Sequence, residues 1–317
     1  MADLTFVLYD LNEREIKLGH LKSYELCRDA DAPCDSLRIT FINDSTLPEA
    51  YRIMAFCNGK CVFNGYVDTQ RESLRQNHIV CFLYCRSSAC LLTDSEAKSF
   101  TYTSPSARAL FEINAGDEFK YNLGSIYSDI SYQVGKGTSL YGAINGFVYS
   151  VMGEKIRVTP ENELVLLNTK KAVKLDEKRL ISAKRIINRG NALSQIDYKI
   201  SNSTDYIYHR VSGFMKNKKI TARKIRNIST VPDWQRETTL KTVFSSANAD
   251  YCGWELIVQG YAEIDLCDEI KADAEGFEIF GKAVANSVAH ILDSSGERTV
   301  IRANYVLDLE EMSYVDE

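Results

Sequence analysis

One β-pattern stands near each end of this chain, and a repeated module constrains a fold more than any single motif does. The first copy reads Arg52-Ile53-Met54-Ala55-Phe56-Cys57, an Asn58-Gly59 turn, then Val62-Phe63-Asn64-Gly65-Tyr66-Val67. The second reads Asp268-Glu269-Ile270-Lys271-Ala272, a turn at Glu275-Gly276, then Glu278-Ile279-Phe280-Gly281-Lys282-Ala283-Val284. In both, a short strand turns at a glycine into a second strand, which meets a bend glycine after Phe63 or Phe280. A further strand carrying an arginine closes each copy, His78 to Arg86 and Arg298 to Tyr305. Two like β-modules in one chain point to architecture before chemistry.

A length of 317 residues exceeds one typical domain and predicts two or three. Hydrophobic residues at 45% and charged residues at 26% fit an ordinary folded chain. With only five prolines, a linker-dominated chain is not expected. The net charge of −5 gives no reason to expect nucleic acid as the main partner. No apolar run is long enough to span a bilayer, and Met1-Ala2-Asp3-Leu4 begins without a basic or hydrophobic export segment. The expectation is a soluble protein made in a cytoplasm.

Nine cysteines without an export signal read as free thiols in a reducing compartment, used as small buried hydrophobes. Cys57-x3-Cys61 with Cys81-x3-Cys85 is the sharper alternative, a four-thiolate zinc site. CxxxC is looser than a zinc knuckle, and Cys81 and Cys85 stand in an apolar strand, so the first reading is preferred and no metal is expected.

The first ninety or so residues predict antiparallel sheet. Leu37, Ile39 and Phe41 alternate with Arg38, Thr40 and Ile42, and Asn58-Gly59 marks a hairpin. Ile79 to Tyr84 is apolar on both faces, which predicts a strand covered on each side. From Leu91 to Leu167 the pattern changes to a small α/β unit. Thr103 or Ser104 is placed to cap a helix with Pro105 at its first position and Gly116 at its stop. Thr138 or Ser139 caps a second helix, with Leu140, Ile144, Phe147, Val148 and Val151 on one face and Gly153 at its end. A hairpin follows, Lys155 to Val158 and Leu164 to Leu167. Further strands are expected at Arg185 to Asn188, Ile196 to Ile200 and from Trp254 onward, with a short helix from Thr239 to Ala249. The acidic tail, Asp308 to Glu317, is expected to fray or to lie against a partner.

Little catalytic chemistry survives inspection. Val134-Gly135-Lys136-Gly137-Thr138-Ser139 opens a helix, but Gly137 separates the lysine from the hydroxyl, so the phosphate cradle is incomplete. Tyr141 stands where a nucleophile elbow needs glycine. His20, His78, His209 and His290 are scattered, and no carboxylate pair is singled out. The basic cluster of Lys216, Lys218, Lys219, Arg223, Lys224 and Arg226 reads equally as a solvated loop or as the mate of an acidic surface such as another subunit's tail. No catalytic, cofactor-binding or metal residue is assigned.

Three ordered passages resemble the baseplate hub proteins of contractile phage tails and R-type bacteriocins. Cys85-Arg86-Ser87-Ser88-Ala89-Cys90-Leu91-Leu92-Thr93-Asp94-Ser95-Glu96-Ala97 is similar to that family's R-S-x-x-x-L-L-D-x-E-A passage. Tyr132-Gln133-Val134-Gly135-Lys136-Gly137-Thr138-Ser139-Leu140-Tyr141 resembles its F-x-V-x-K-G-x-S-x-W, with Tyr141 in place of tryptophan. Phe280-Gly281 and Val288 to Thr299 resemble the closing strands of its second barrel, although Leu266-Cys267-Asp268 departs from the usual Gly-Asp turn.

The resemblance implies a β-rich α+β fold with two tail-tube-like antiparallel β-barrels and a small α/β domain between them. The first barrel would span 1–93, with strands from 175–202 as candidates to complete it; the α/β domain 94–172; the second barrel 173–317. It implies a non-enzymatic homotrimer whose six barrels imitate a sixfold ring, joining tail tube or tube initiator to a central spike and wedge proteins. No membrane partner and no specific nucleic acid are implied. Such a protein assembles in the bacterial cytoplasm and ends in the baseplate of the particle. Val134 to Val151 also resembles the start of a LysM wall-binding module, which leaves peptidoglycan binding or a tail-associated wall hydrolase as alternatives.

Overall fold

The computed structural model describes residues 4–75, 77–168, 171–201, 204–274, 277–279, 282–306 and 312–316. Strands β1 (Leu4–Asp10), β2 (Glu15–Ile16), β3 (His20–Asp29), β4 (Ser36–Asn43), β5 (Ala50–Cys57), β6 (Lys60–Arg75) and β7 (His78–Ser87) come first. Leu37, Ile39 and Phe41 are buried and Arg38 is exposed, so the alternation in β4 does set its inner face. Leu8, Leu26, Phe41, Ile53, Phe63 and Leu83 pack into one core under these strands. β7 differs from expectation on its second face. Cys81, Leu83 and Cys85 are sealed, while Phe82 and Tyr84 are half-buried with Arg71 and Arg38 lying over their rings. Arginine stems shield that face where a second layer was expected.

Two glycines explain the β5–β6 hairpin. Asn58 and Gly59 both take left-handed backbone, at φ 49° and 80°, as a tight two-residue hairpin turn requires. Gly65 is needed for space, because a Cβ there would sit 2.2 Å from the Arg86 carbonyl oxygen.

Next come α1 (Cys90–Asp94), β8 (Phe100–Tyr102), α2 (Ala107–Asn114), β9 (Lys120–Asn122), β10 (Tyr132–Val134), α3 (Leu140–Met152), β11 (Lys155–Val158) and β12 (Glu163–Leu167). Leu110, Ile144, Phe147, Val148, Ile156 and Leu164 share a second core. Ser139 caps α3 and Gly153 closes it, as the pattern predicts. The cap of α2 is Ser106, whose hydroxyl accepts from Ala109 N, and not Thr103 or Ser104. Ser104 is held at φ 48° in the preceding turn, which moves the helix start past Pro105.

The remaining elements are β13 (Ala172–Lys174), β14 (Leu180–Ile187), β15 (Gln195–Lys199), β16 (Tyr208–Ser212), α4 (Gly213–Asn217), β17 (Arg223–Asn227), α5 (Asp233–Asn248), β18 (Cys252–Gln259), β19 (Glu269–Lys271), β20 (Asp273–Ala274), β21 (Phe277–Glu278), β22 (Ala283–Asp293), β23 (Gly296–Tyr305) and β24 (Met312–Asp316). Trp254, Leu256, Val288 and Ile301 centre a third core, and Ile196, Leu240 and Phe244 a fourth. Helix α5 starts at Asp233, ahead of the expected Thr239. The small sheet β17-β15-β16-β24 takes in the end of the acidic tail, whose Met312–Asp316 pairs with β16; Asp308 to Glu311 and Glu317 lie outside the described residues. Arg223, Lys224 and Arg226 stand exposed on β17, the opposite edge of that sheet.

The repeat goes deeper than its sequence signal. One module orders its strands β1-β5-β6-β7-β4-β3, and the other β13-β19-β22-β23-β18-β14, the same path for elements met in the same chain order. Both long hairpins carry a bulge at one matching place, Val67/Thr69 in β6–β7 and Ala285/Ser287 in β22–β23. A second matching bulge lies at Leu21/Ser23 in β3–β4 and at Leu180/Ser182 in β14–β18. β13–β19 departs by being parallel where β1–β5 is antiparallel.

Where two separate closed barrels are expected, neither module closes among the described residues; β22 pairs with β3 and merges both into one 13-stranded sheet. The extra ladder satisfies the outer edge of β3, which would otherwise leave backbone groups unpaired. Of the strands between 175 and 202, β14 pairs with β18 and β15 joins the small sheet. The second-copy residues Glu275, Gly276, Phe280 and Gly281 lie outside the described residues.

Candidate functional site: the seam between the modules

Where β3 meets β22, four charged side chains from distant parts of the chain converge. Arg28 is the last residue but one of β3, Asp35 precedes β4, Arg157 belongs to β11 and Asp265 to the loop before β19. Arg28 lies 3.6 Å from Asp35 and 3.7 Å from Asp265. Arg157 lies 3.5 Å from Asp35 and 2.7 Å from Asp265. Each guanidinium therefore touches both carboxylates, and Arg28 also donates to the Val62 carbonyl at 2.6 Å. The arginines are 5% and 7% exposed and Asp35 is buried, while Asp265 keeps a third of its side chain in water, so the geometry must compensate for the hydration lost by three of the four members. Burial pushes the Asp35 carboxyl above the ordinary carboxylate range, while Arg157 and Arg28 oppose that rise. One point thus ties the first sheet, the middle unit and the second module together.

Beside the cluster opens a cleft of about 1300 Å³, lined by Arg28, Lys60, Arg157, Tyr261, Asp265 and others. Tyr261 stacks on His290 at 4.0 Å between ring centroids. His290 is fully buried, with Nδ1 3.1 Å from the Thr299 hydroxyl. Burial drives its pKa down to about 3, helped by Arg28 and opposed by Asp265, so the ring is neutral.

The first two of the passages that resemble the hub family meet physically at the border of the middle unit. Arg86 holds Asp94 of α1 and Asp68 of β6 through its two edges. Glu96 accepts from the Gly137 amide at 2.7 Å, Ala97 N donates to the Thr138 carbonyl and Leu140 N to the Ser95 carbonyl. The amide that a phosphate loop would offer its ligand is thus engaged inside the protein. Ser88 donates to Asn162 at 2.7 Å, and Asn64 links Asn162 to Arg52 of β5. Tyr141, standing where the family shows tryptophan, donates to the Ile156 carbonyl at 2.8 Å.

The other residues weighed in the sequence have structural places. Cys57, Cys81 and Cys85 are buried, Cys61 half-buried, and burial raises the Cys81 thiol to about 11. His209 Nδ1 lies 2.7 Å from Asp197, while His20 and His78 are exposed. Only Gly153 and Glu154 separate α3 from β11, so no second helix intervenes as a LysM module requires. No described helix is long and apolar enough to cross a membrane. Arg28, Asp35, Arg157 and Asp265 carry no local signal, because each acquires its partners only on folding.

This β-rich fold, two repeated strand modules around a small α/β unit, is similar to the folds of solved phage tail proteins. A tail protein from Neisseria meningitidis MC58 superposes with a TM-score of 0.75 at 13% identity, over 95% of this chain and 96% of that one. The 43 kDa tail protein of prophage MuSo2 from Shewanella oneidensis gives 0.78 at 12% identity, over 98% and 100%. The E. coli c3393 protein, a type VI secretion component itself similar to the T4 tail proteins gp27 and gp5, gives 0.60 at 11% identity, over 97% and 77%. No family model and no curated protein matches the sequence.

Proposed function

We propose that this chain is a structural baseplate hub of a contractile tail or tail-like bacteriocin, acting as a trimeric adaptor between a sixfold tail tube and a threefold central spike. The observation that carries this reading is the repeated strand path in one chain, with matching bulges and a continuous seam. Three copies present six like modules, so a threefold object offers a near-sixfold face. The charge cluster at the seam serves the same end, since an adaptor passing force must keep its modules in fixed relation. Its work is binding and force transmission, not catalysis. Its partners are further copies of itself, the tube or its initiator, the spike and wedge proteins. It assembles in the bacterial cytoplasm and stays with the baseplate.

Mass measurement of the purified chain, alone and with its spike partner, tests this. A threefold mass supports it, and a chain that stays single under both conditions overturns it. Zymography on purified peptidoglycan addresses the hydrolase alternative, for which a cleared zone would replace the hub reading.

A further inference from the structure

The basic strand β17 has an open edge, and the chain itself carries a segment of matching charge. β17 stands first in the small sheet β17-β15-β16-β24 and, among the described residues, pairs with β15 alone. All five of its residues are exposed, Ile225 by 52%. Arg223 reaches Asp197 at 3.4 Å while its side chain stays 68% exposed. No ion pair holds Lys224 or Arg226 among the described residues; the Arg226 guanidinium donates to the Ile225 carbonyl. Cations on an edge strand repel a like edge, and the same charges admit a strand of carboxylates. The far edge of this sheet already accepts the end of the acidic tail, where Met312–Asp316 pairs antiparallel with β16.

We propose that Asp308 to Glu311 of a second copy adds to β17 as an antiparallel strand. The proposal rests on the oligomeric reading above and names a contact within it. These four residues lie outside the described residues, and their sequence supplies the register. With Leu309 opposite Ile225, Asp308 falls opposite Arg226, Glu310 opposite Lys224 and Glu311 opposite Arg223. Every cation of the strand then faces a carboxylate, and the one apolar residue of each segment meets the other. A slip of one residue in either direction would set Leu309 against Lys224 or Arg226.

The same chain cannot deliver that segment while β24 is in place. Met312 is paired with Ser212 at the opposite edge of the sheet. A strand added outside β17 lies four strand spacings from β24, roughly 19 Å. Glu311 precedes Met312 directly, and consecutive Cα atoms are only about 3.8 Å apart. The occupant is therefore a second copy.

A register-specific cross-link in the full chain tests this. Opposed residues of an antiparallel pair have Cα atoms about 4.5–5.5 Å apart, within disulfide range. The double variant Ile225→Cys with Leu309→Cys is oxidised and run on a non-reducing gel. The unaltered protein and the off-register pair Asn227→Cys with Leu309→Cys serve as controls. Covalent dimers or larger species, several-fold above both controls, are expected. Adding Lys224→Glu and Arg226→Glu should cut that yield several-fold, and adding Asp308→Lys and Glu310→Lys as well should restore it. A chain that is oligomeric by mass yet shows no excess, or whose yield ignores the reversals, overturns this contact and leaves the hub reading standing. A disulfide closed within one chain also overturns it, because the tail would then reach its own β17. A chain that stays single by mass and uncross-linked overturns both readings.

Discussion

Arg86 and Asp94 meet through two hydrogen bonds of 2.9 and 2.6 Å, and Asp68 takes the other edge of the same guanidinium. The planar fork thereby links β7, β6 and α1, which lysine, a point donor, cannot imitate. Arg86→Lys is expected to destabilise the fold by about 1–2 kcal/mol, toward the low end because Asp94 is 56% exposed. Urea unfolding of the two proteins side by side checks this; an unchanged midpoint would contradict the role given to the fork.

The seam cluster predicts a larger loss. Asp265→Ala leaves two nearly buried guanidiniums with one shared carboxylate, so a cost of about 3–5 kcal/mol is expected. Since the cluster joins three cores, the variant should also unfold less cooperatively, with fluorescence and circular dichroism transitions no longer coincident. Coincident transitions at the original midpoint would show that the cluster does not couple the units.

His290 sets a pH dependence. Its folded pKa of about 3 lies below the ordinary 6.5, so the unfolded chain binds a proton that the folded chain refuses. Stability contributed by the neutral ring is therefore full above about pH 6.5 and declines as pH falls from there toward 3. Across that window the loss is on the order of 4 kcal/mol. His290→Gln, which keeps a polar side chain without the titration, should flatten the decline in midpoints measured between pH 7.5 and 5.

Gly59 and Gly65 separate backbone strain from lack of room. Gly59→Ala keeps open space around the new methyl but asks alanine for φ 80°, a cost of about 1–2 kcal/mol. Gly65→Ala pushes a methyl into the Arg86 carbonyl and the Phe63 ring, so the β6–β7 ladder must shift. A loss of about 3 kcal/mol or more is expected there, near the upper range for overpacking. Thermal melts that rank the two in the opposite order would refute this account of the bend.

Local pattern made the strands of the first module, helix α3 and the β11–β12 hairpin legible, because alternation, caps and glycines act within a few residues. The cap at Ser106 is not legible locally, because Thr103, Ser104 and Ser106 are equivalent as sequence, and only the turn at Ser104 separates them. The resemblance motifs were visible as words, but their contact, Glu96 on the Gly137 amide, was not.

The sequence by itself determined that this chain repeats a β-module around a helical insert, since period and turn chemistry are written in neighbouring residues. Tertiary structure alone decided that the modules fuse through β3 and β22, and that Arg28, Asp35, Arg157 and Asp265 meet at one point. Edge pairing and desolvated charge are settled between residues far apart in the chain, where no local spacing records them.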